Sequence, residues 1–157
     1  MDLSDYVFFD AGLFIGALFK DDARYAEARP LVESGRNGDL KVCTTTGILS
    51  EIYAALTWTG APFPRTPEDA ATAVRLLIEA PSQIKVIPED SGVGLKMVEL
   101  AEKHRLKARR IHDARHAATV ILKGVSHVYT YDTDDWKAFM PDGLIIVGPN
   151  SVLSKLK

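Results

Sequence analysis

A single cysteine, Cys43, stands in the 157 residues, so no disulfide can close within the chain. It lies in an apolar run, where a thiol reads as a small buried side chain. Basic residues are in no excess: 19 Lys and Arg face 21 Asp and Glu, a formal net charge of −2. That balance excludes a protein coating polyanions over its whole surface and confines any nucleic-acid contact to a local patch. No apolar stretch approaches the roughly 20 residues of a membrane span, and Asp2 and Asp5 lie where a signal peptide would carry Lys or Arg. A cytoplasmic protein with no membrane association is therefore expected. Repeats and low-complexity stretches are lacking too. The Pro- and Gly-rich loop from Gly60 to Thr66 is too short to separate domains, so residues 1–157 read as a single domain.

The hydrophobic content, 46%, is ample for a core, and its distribution alternates. Apolar runs from Tyr6 to Phe9, Leu40 to Thr44, Ile84 to Ile87, His127 to Thr130 and Leu144 to Val147 read as strands. Between them, Ala26, Leu31 and Val32, then Ile48, Leu49, Ile52, Tyr53 and Leu56, recur at helical spacing. Thr66-Pro67-Glu68-Asp69 combines a capping hydroxyl, proline at the first helical position and acids in the first turn, which starts a helix running to about Ala80. Further helices are expected from Ser91 to about His104 and from about Asp113 to Lys123, with Gly124 as the stop. Strands alternating with helices, several strands apolar on both faces, predict an α/β fold with a largely parallel sheet covered by helices.

Four acids sit where structure alone does not require them. Asp10 follows the first strand directly, at the end where parallel sheets place ligand sites, and can equally cap the helix starting near Ala11. Asn would keep the size of Asp there and could still serve as the cap. Glu51 falls on or beside the apolar stripe, with Ile48 and Ile52 as neighbours; a buried carboxylate costs several kcal/mol unless it is protonated, ion-paired or bound to a cation. Asp113 heads a helix whose inner stripe is Ala117, Val120 and Ile121, as a cap or as a ligand. Asp132 comes two residues after a strand, in an acidic turn with Asp134 and Asp135. Carboxylates gathered at one edge of a sheet repel one another, and a hard divalent cation such as Mg²⁺ or Mn²⁺ removes that repulsion and can activate water on a phosphodiester.

The ordered set resembles the PIN domains, and more narrowly the VapC-type toxins of toxin–antitoxin pairs, over nearly the whole chain. Phe8-Phe9-Asp10-Ala11-Gly12-Leu13-Phe14-Ile15 is similar to the family's first strand and first acid, and Ser50-Glu51 within Thr45 to Leu56 to its second. Ile111-His112-Asp113-Ala114-Arg115-His116-Ala117-Ala118-Thr119 resembles the helix of the third acid. Thr130-Tyr131-Asp132 followed by Asp134-Asp135-Trp136 resembles the hydroxyl-x-acid motif with its trailing acid and aromatic residue. The resemblance implies a three-layer α/β/α fold, metal-site acids Asp10, Glu51, Asp113 and Asp132, Thr130 as the orienting hydroxyl, Mg²⁺ or Mn²⁺ as cofactor, and metal-dependent cleavage of RNA. It leaves the trailing acid open between Asp134 and Asp135. Ala11 and Gly12 depart from the family, which often has Ser or Thr and then a polar residue at these places.

Lys103, Arg105, Lys107, Arg109, Arg110 and Arg115 crowd around Asp113; Arg109, Arg110 and Arg115 are the candidates for contact with phosphates of single-stranded or looped RNA. A cognate antitoxin and a second copy of the chain are the expected protein partners, the latter because helices such as Asp69 to Ala80 leave apolar surface. Zinc on His112 and His116 lacks a third soft ligand. A haloacid-dehalogenase-type phosphatase would need an acid at Gly12, and a receiver domain an acidic pair before its phosphoacceptor strand. The rival from another class is a PIN-like module that binds RNA or protein without cutting, supported by Ala11 and Gly12 and opposed by the four acids with Thr130.

Overall fold

In a computed structural model, residues 2–149 are described. They contain five strands, β1 (Val7–Phe9), β2 (Val42–Thr45), β3 (Lys85–Ile87), β4 (His127–Tyr129) and β5 (Ile145–Ile146), in one sheet. The helices are α1 (Ala11–Leu18), α2 (Tyr25–Asn37), α3 (Thr46–Thr57), α4 (Pro67–Ile78), α5 (Ser91–Lys103), α6 (Ile111–Leu122) and α7 (Thr133–Trp136).

Every strand pair is parallel and the order is β3-β2-β1-β4-β5. Parallel neighbours need crossovers, which the helices supply, so the sheet is covered on both faces in the expected α/β/α arrangement. Phe8, Val42, Cys43 and Val128 are fully buried in the middle of it. Burial pushes the Cys43 thiol up to about 12, which keeps it protonated and inert. Around the strands, α1 packs on α2 and α3, α3 on α4, and α5 on α6.

Local chemistry sets the boundaries. The Thr66 hydroxyl accepts from the Asp69 amide and starts α4 with Pro67 at its first position. Gly124, at φ 79°, takes the left-handed turn after α6, and its amide and that of Val125 close on the carbonyls of Ile121 and Val120. One boundary differs in a way that matters: α6 begins at Ile111, so Asp113 lies inside its first turn and does not cap it. The short α7 and the 3-10 segment Lys137–Asp142 had no sequence signature, since four to six residues show no period.

The chain builds β1, β2 and β3 outward to one side and then returns to place β4 and β5 on the other. The order therefore reverses between β1 and β4, and the crevice beyond the carboxyl ends of these two strands is the topological switch point where open α/β sheets bind ligands. Asp10 follows β1 there, and Thr130 and Asp132 follow β4.

Candidate active site

Asp10 is the buried centre of this crevice, 7% exposed. Its Oδ1 accepts the Ala11 amide at 2.9 Å, capping α1. Its Oδ2 accepts the Thr130 hydroxyl at 2.7 Å and the Trp136 indole N–H at 3.1 Å. Thr130, itself fully buried, also accepts the Asp132 amide at 2.9 Å, so one hydroxyl fixes the backbone of Asp132 relative to the carboxylate of Asp10. Trp136 is held by edge and tilted contacts with Phe139 and Phe8. Its N–H bond to Asp10 was not foreseen; its place after the acidic turn was visible, but nothing in the spacing of an indole and an aspartate 126 positions apart announces a bond.

Asp113 and Asp132 face the same space. Desolvation first, then the charge of Asp135, raises the Asp113 carboxyl above the usual carboxylate value, with a further contribution from Asp10; the neighbouring Arg110 opposes the rise. Asp132 is raised by desolvation of its carboxyl and by the charges of Asp10, Asp135 and Asp113, with Arg24 opposing, although the residue as a whole is exposed. The coupled acids are thus Asp10, Asp113, Asp132 and Asp135. Between the two trailing acids, Asp135 faces this group, while Asp134 is 95% exposed and pairs with Lys137.

Glu51 stands apart from this set and corrects an expectation. Its neighbours Ile48 and Ile52 are fully buried, but its own side chain is 44% exposed at the edge of that stripe, so the cost of a buried charge does not arise. It accepts instead from His116 Nε2 at 2.8 Å. His116 is buried on α6 one turn beyond Asp113, with Nδ1 3.3 Å from the Thr45 hydroxyl, which itself accepts the Ile48 amide as cap of α3. A neutral imidazole with its proton on Nε2 satisfies all of these contacts: Thr45 O–H donates to Nδ1 and Nε2–H donates to Glu51. His112 is exposed, away from this pair.

The basic residues divide. Arg109 is exposed. Arg110 lies on the rim, bonding Asp113 Oδ2 at 3.4 Å and the Asp135 carbonyl at 3.2 Å. Arg115 is committed elsewhere: its Nε donates to Glu89 Oε2, while Glu89 Oε1 accepts the Gly47 amide at 2.6 Å at the start of α3. A Cβ on Gly47 would stand 2.8 Å from Glu89 and 2.9 Å from Arg115, which explains glycine there. Lys103 is paired with Asp142.

The donor set suits a hard cation, since it is all carboxylate and hydroxyl oxygen, and Asp113 and Asp132 are raised by desolvation and then by neighbouring carboxylate charge. Among the described residues no three His, Cys, Asp or Glu side chains converge into a ready-made cage. Mg²⁺ requires none, because it keeps several waters and takes one or two carboxylates directly.

The PIN domain family profile matches residues 7–139. No curated protein matches the chain. Among solved structures, the fold is similar to the toxin VapC20 of Mycobacterium tuberculosis, at 21% identity and a TM-score of 0.66 over 84% of this chain and 94% of that one. It is similar to VapBC2 of Rickettsia felis bound to promoter DNA, at 12% identity and 0.63 over 92% and 99%. The DNA-bound VapBC of Salmonella typhimurium gives 18% identity and 0.61 over 91% and 97%. With 133 of its 157 residues inside the family profile, from β1 into the 3-10 segment after Trp136, the chain belongs to the PIN domain family.

Proposed function

We propose that this protein is a metal-dependent endoribonuclease, the toxin of a type II toxin–antitoxin pair. The observation that carries the reading is the Thr130 hydroxyl joining Asp10 to Asp132 at the switch point, beside the electrostatically coupled Asp113. Capping requires neither that bridge nor a gathering of repelling acids.

Asp10, Asp113 and Asp132, with Glu51 at the edge, are the residues that would hold Mg²⁺ or Mn²⁺, and the bound ion would supply activation of water and stabilisation of phosphoryl charge. Thr130 and Trp136 fix the orientation of Asp10. His116 does the same for Glu51. Asp135 adds negative charge to the cluster, and Arg110 on the rim, with the exposed Arg109 beside it in sequence, contacts phosphates flanking the scissile one. Arg115, paired with Glu89, braces α6 against α3. VapC20 is a toxin that cleaves the sarcin–ricin loop, and a looped or single-stranded RNA suits a crevice that must reach one phosphate.

The antitoxin reading is supported by the toxin–antitoxin complexes among the similar structures. We assign its binding to the apolar groove between α1 and α3, lined by Ile15, Leu18, Phe19, Ala55, Trp58 and Phe63, where Trp58 and Phe63 are 65% and 66% exposed. A homodimer has the exposed Leu76 of α4 and Leu95 and Val98 of α5 available to it. Among the described residues, no helix is long and apolar enough to cross a membrane; a cytoplasmic site of action follows from the RNA substrate proposed.

The test is incubation of the purified chain with labelled RNA, with Mg²⁺ or Mn²⁺ and with chelator. Cleavage that requires the metal supports the reading. Binding without cleavage under all conditions would establish the non-cutting module instead.

A further inference from the structure

Gly12 leaves a gap beside Asp10 where the family often carries a polar side chain, and another part of the chain fills it. A Cβ at position 12 would stand 3.1 Å from Arg24 Nη1 and 3.3 Å from Tyr131 Cδ2. Arg24 is held by two residues, Asp22 and Tyr131. Asp22 grips it through two parallel bonds of 2.9 Å, Oδ1 to Nε and Oδ2 to Nη2, and also accepts its backbone amide at 2.8 Å. The guanidinium carbon lies 5.5 Å over the Tyr131 ring. That ring is anchored by its hydroxyl, which donates to Glu27 Oε1 at 2.8 Å. The remaining nitrogen, Nη1, donates to no acceptor among the described residues, and since no buried side-chain nitrogen among them lacks a partner, this edge of the guanidinium is open to solvent.

Asp22 carries the strongest influence on Arg24, but the carboxylate of Asp132 acts on it too, so the cation flanks the acid group. An arginine clamped at Nε and Nη2 has lost most of its rotamer freedom already, and its free Nη1 edge is preorganised for one further anionic oxygen.

Resting on the nuclease reading, we propose that Arg24 is a substrate-contacting residue whose Nη1 binds a phosphate oxygen of the RNA beside Asp10 and Asp132, and that Gly12 is glycine to admit it. The arginine takes over the polar function absent from positions 11 and 12. Asp22 and Tyr131 are its positioning residues.

The experiment compares wild type with Arg24→Gln, Arg24→Lys and Gly12→Val, each checked for folding by thermal unfolding. Steady-state cleavage of labelled RNA in Mn²⁺ is measured alongside RNA affinity in chelator as a function of salt. Arg24→Gln is expected to lower kcat/KM about tenfold to a hundredfold, and to reduce the slope of log affinity against log salt by about 0.7, the value of one lost contact on a single strand. Arg24→Lys should keep that slope, because the charge persists, without recovering kcat/KM, because the fork on Asp22 and the stack on Tyr131 are gone. Gly12→Val retains the arginine and adds bulk without a polar group against its Nη1, so a similar fall in kcat/KM there supports the geometry even if Arg24→Gln folds poorly. A wild type that neither cuts nor binds RNA overturns the nuclease reading and this inference together. A cutting wild type matched in kcat/KM and salt slope by folded Arg24→Gln overturns the inference alone.

Discussion

Substitution of Asp10 by Asn separates the site's chemistry from its architecture, and the outcome differs from what the sequence suggests. From sequence, Asn keeps the cap of α1, and removal of one repelling charge should leave the fold intact or steadier. In the structure, all three contacts to the carboxylate are donors: the Ala11 amide on Oδ1, and the Thr130 hydroxyl and Trp136 indole on Oδ2. An amide offers only one oxygen. With that oxygen toward Thr130 and Trp136, the NH₂ faces the Ala11 N–H; in the flipped orientation it faces the indole N–H, which can only donate, and Thr130 could take the NH₂ on its second lone pair only by turning its own O–H away from position 10. Loss of a hydrogen bond to a charged group costs about 1.5–3 kcal/mol, and the bonds retained become neutral and weaker. Relief of repulsion with Asp132 and Asp113 offsets part of this. A net loss of about 2 kcal/mol lowers Tm by about 4–8 °C for a chain of this length. Thermal unfolding in chelator at neutral pH measures it, and cleavage in Mn²⁺ should fall by about a hundredfold or more. A Tm equal to or above wild type would refute the donor-network reasoning, and wild-type cleavage by the folded variant would refute the metal-nuclease assignment.

Thr130→Val keeps shape but removes the hydroxyl shared by Asp10 and Asp132, so it should cost about 2 kcal/mol or more and at least about tenfold in cleavage, whereas Thr130→Ser retains most of both; equal Tm and rate in the valine variant would show the bridge to be incidental. Asp113 and Asp132 are raised in the folded chain above the carboxylate value of 3.8, so they bind protons more tightly folded than unfolded. Their contribution to stability is full at acidic pH and is lost as pH rises from about 3.8 through their raised values. In chelator, Asp132→Asn should therefore gain on wild type as pH rises through that window, and a difference in Tm independent of pH would contradict the coupling. Mn²⁺ at about a hundred times its dissociation constant should stabilise wild type by about 2.7 kcal/mol through mass action, a shift abolished by chelator; identical Tm in both conditions would remove the metal site.

The architecture was legible because its signals are local and repeated. Five apolar runs separated by helical stripes leave few topologies, and the Thr66-Pro67-Glu68-Asp69 start and the Gly124 stop are written in adjacent residues. Strand ends shifted by a residue or two without consequence. The start of α6 shifted with consequence: its first turn is entered through Arg110, with no side-chain cap, so Asp113 projects from within a helix. A sequence with Asp before an apolar stripe reads as a cap, and only the tertiary position of Ala108 to Arg110 shows otherwise.

The site was legible only as residue types. Glu51 illustrates why: helical spacing gives the angle of a side chain around its helix but not how far the neighbouring layer extends over it, and α3 leaves that angle open to solvent beside the two buried isoleucines. What secures Glu51 is His116, 65 positions away, a pairing no periodicity encodes. Ala11 and Gly12 illustrate the converse. In sequence they are a deficit, the best argument for a module that has lost its chemistry. In space, the missing side chain at Gly12 is the clearance in which Arg24 rests, gripped by Asp22 and stacked on Tyr131 next to Asp132. The same two residues therefore support opposite functions depending on whether the chain is read along its length or across the crevice, and cleavage by wild type compared with Arg24→Gln is the measurement that separates them.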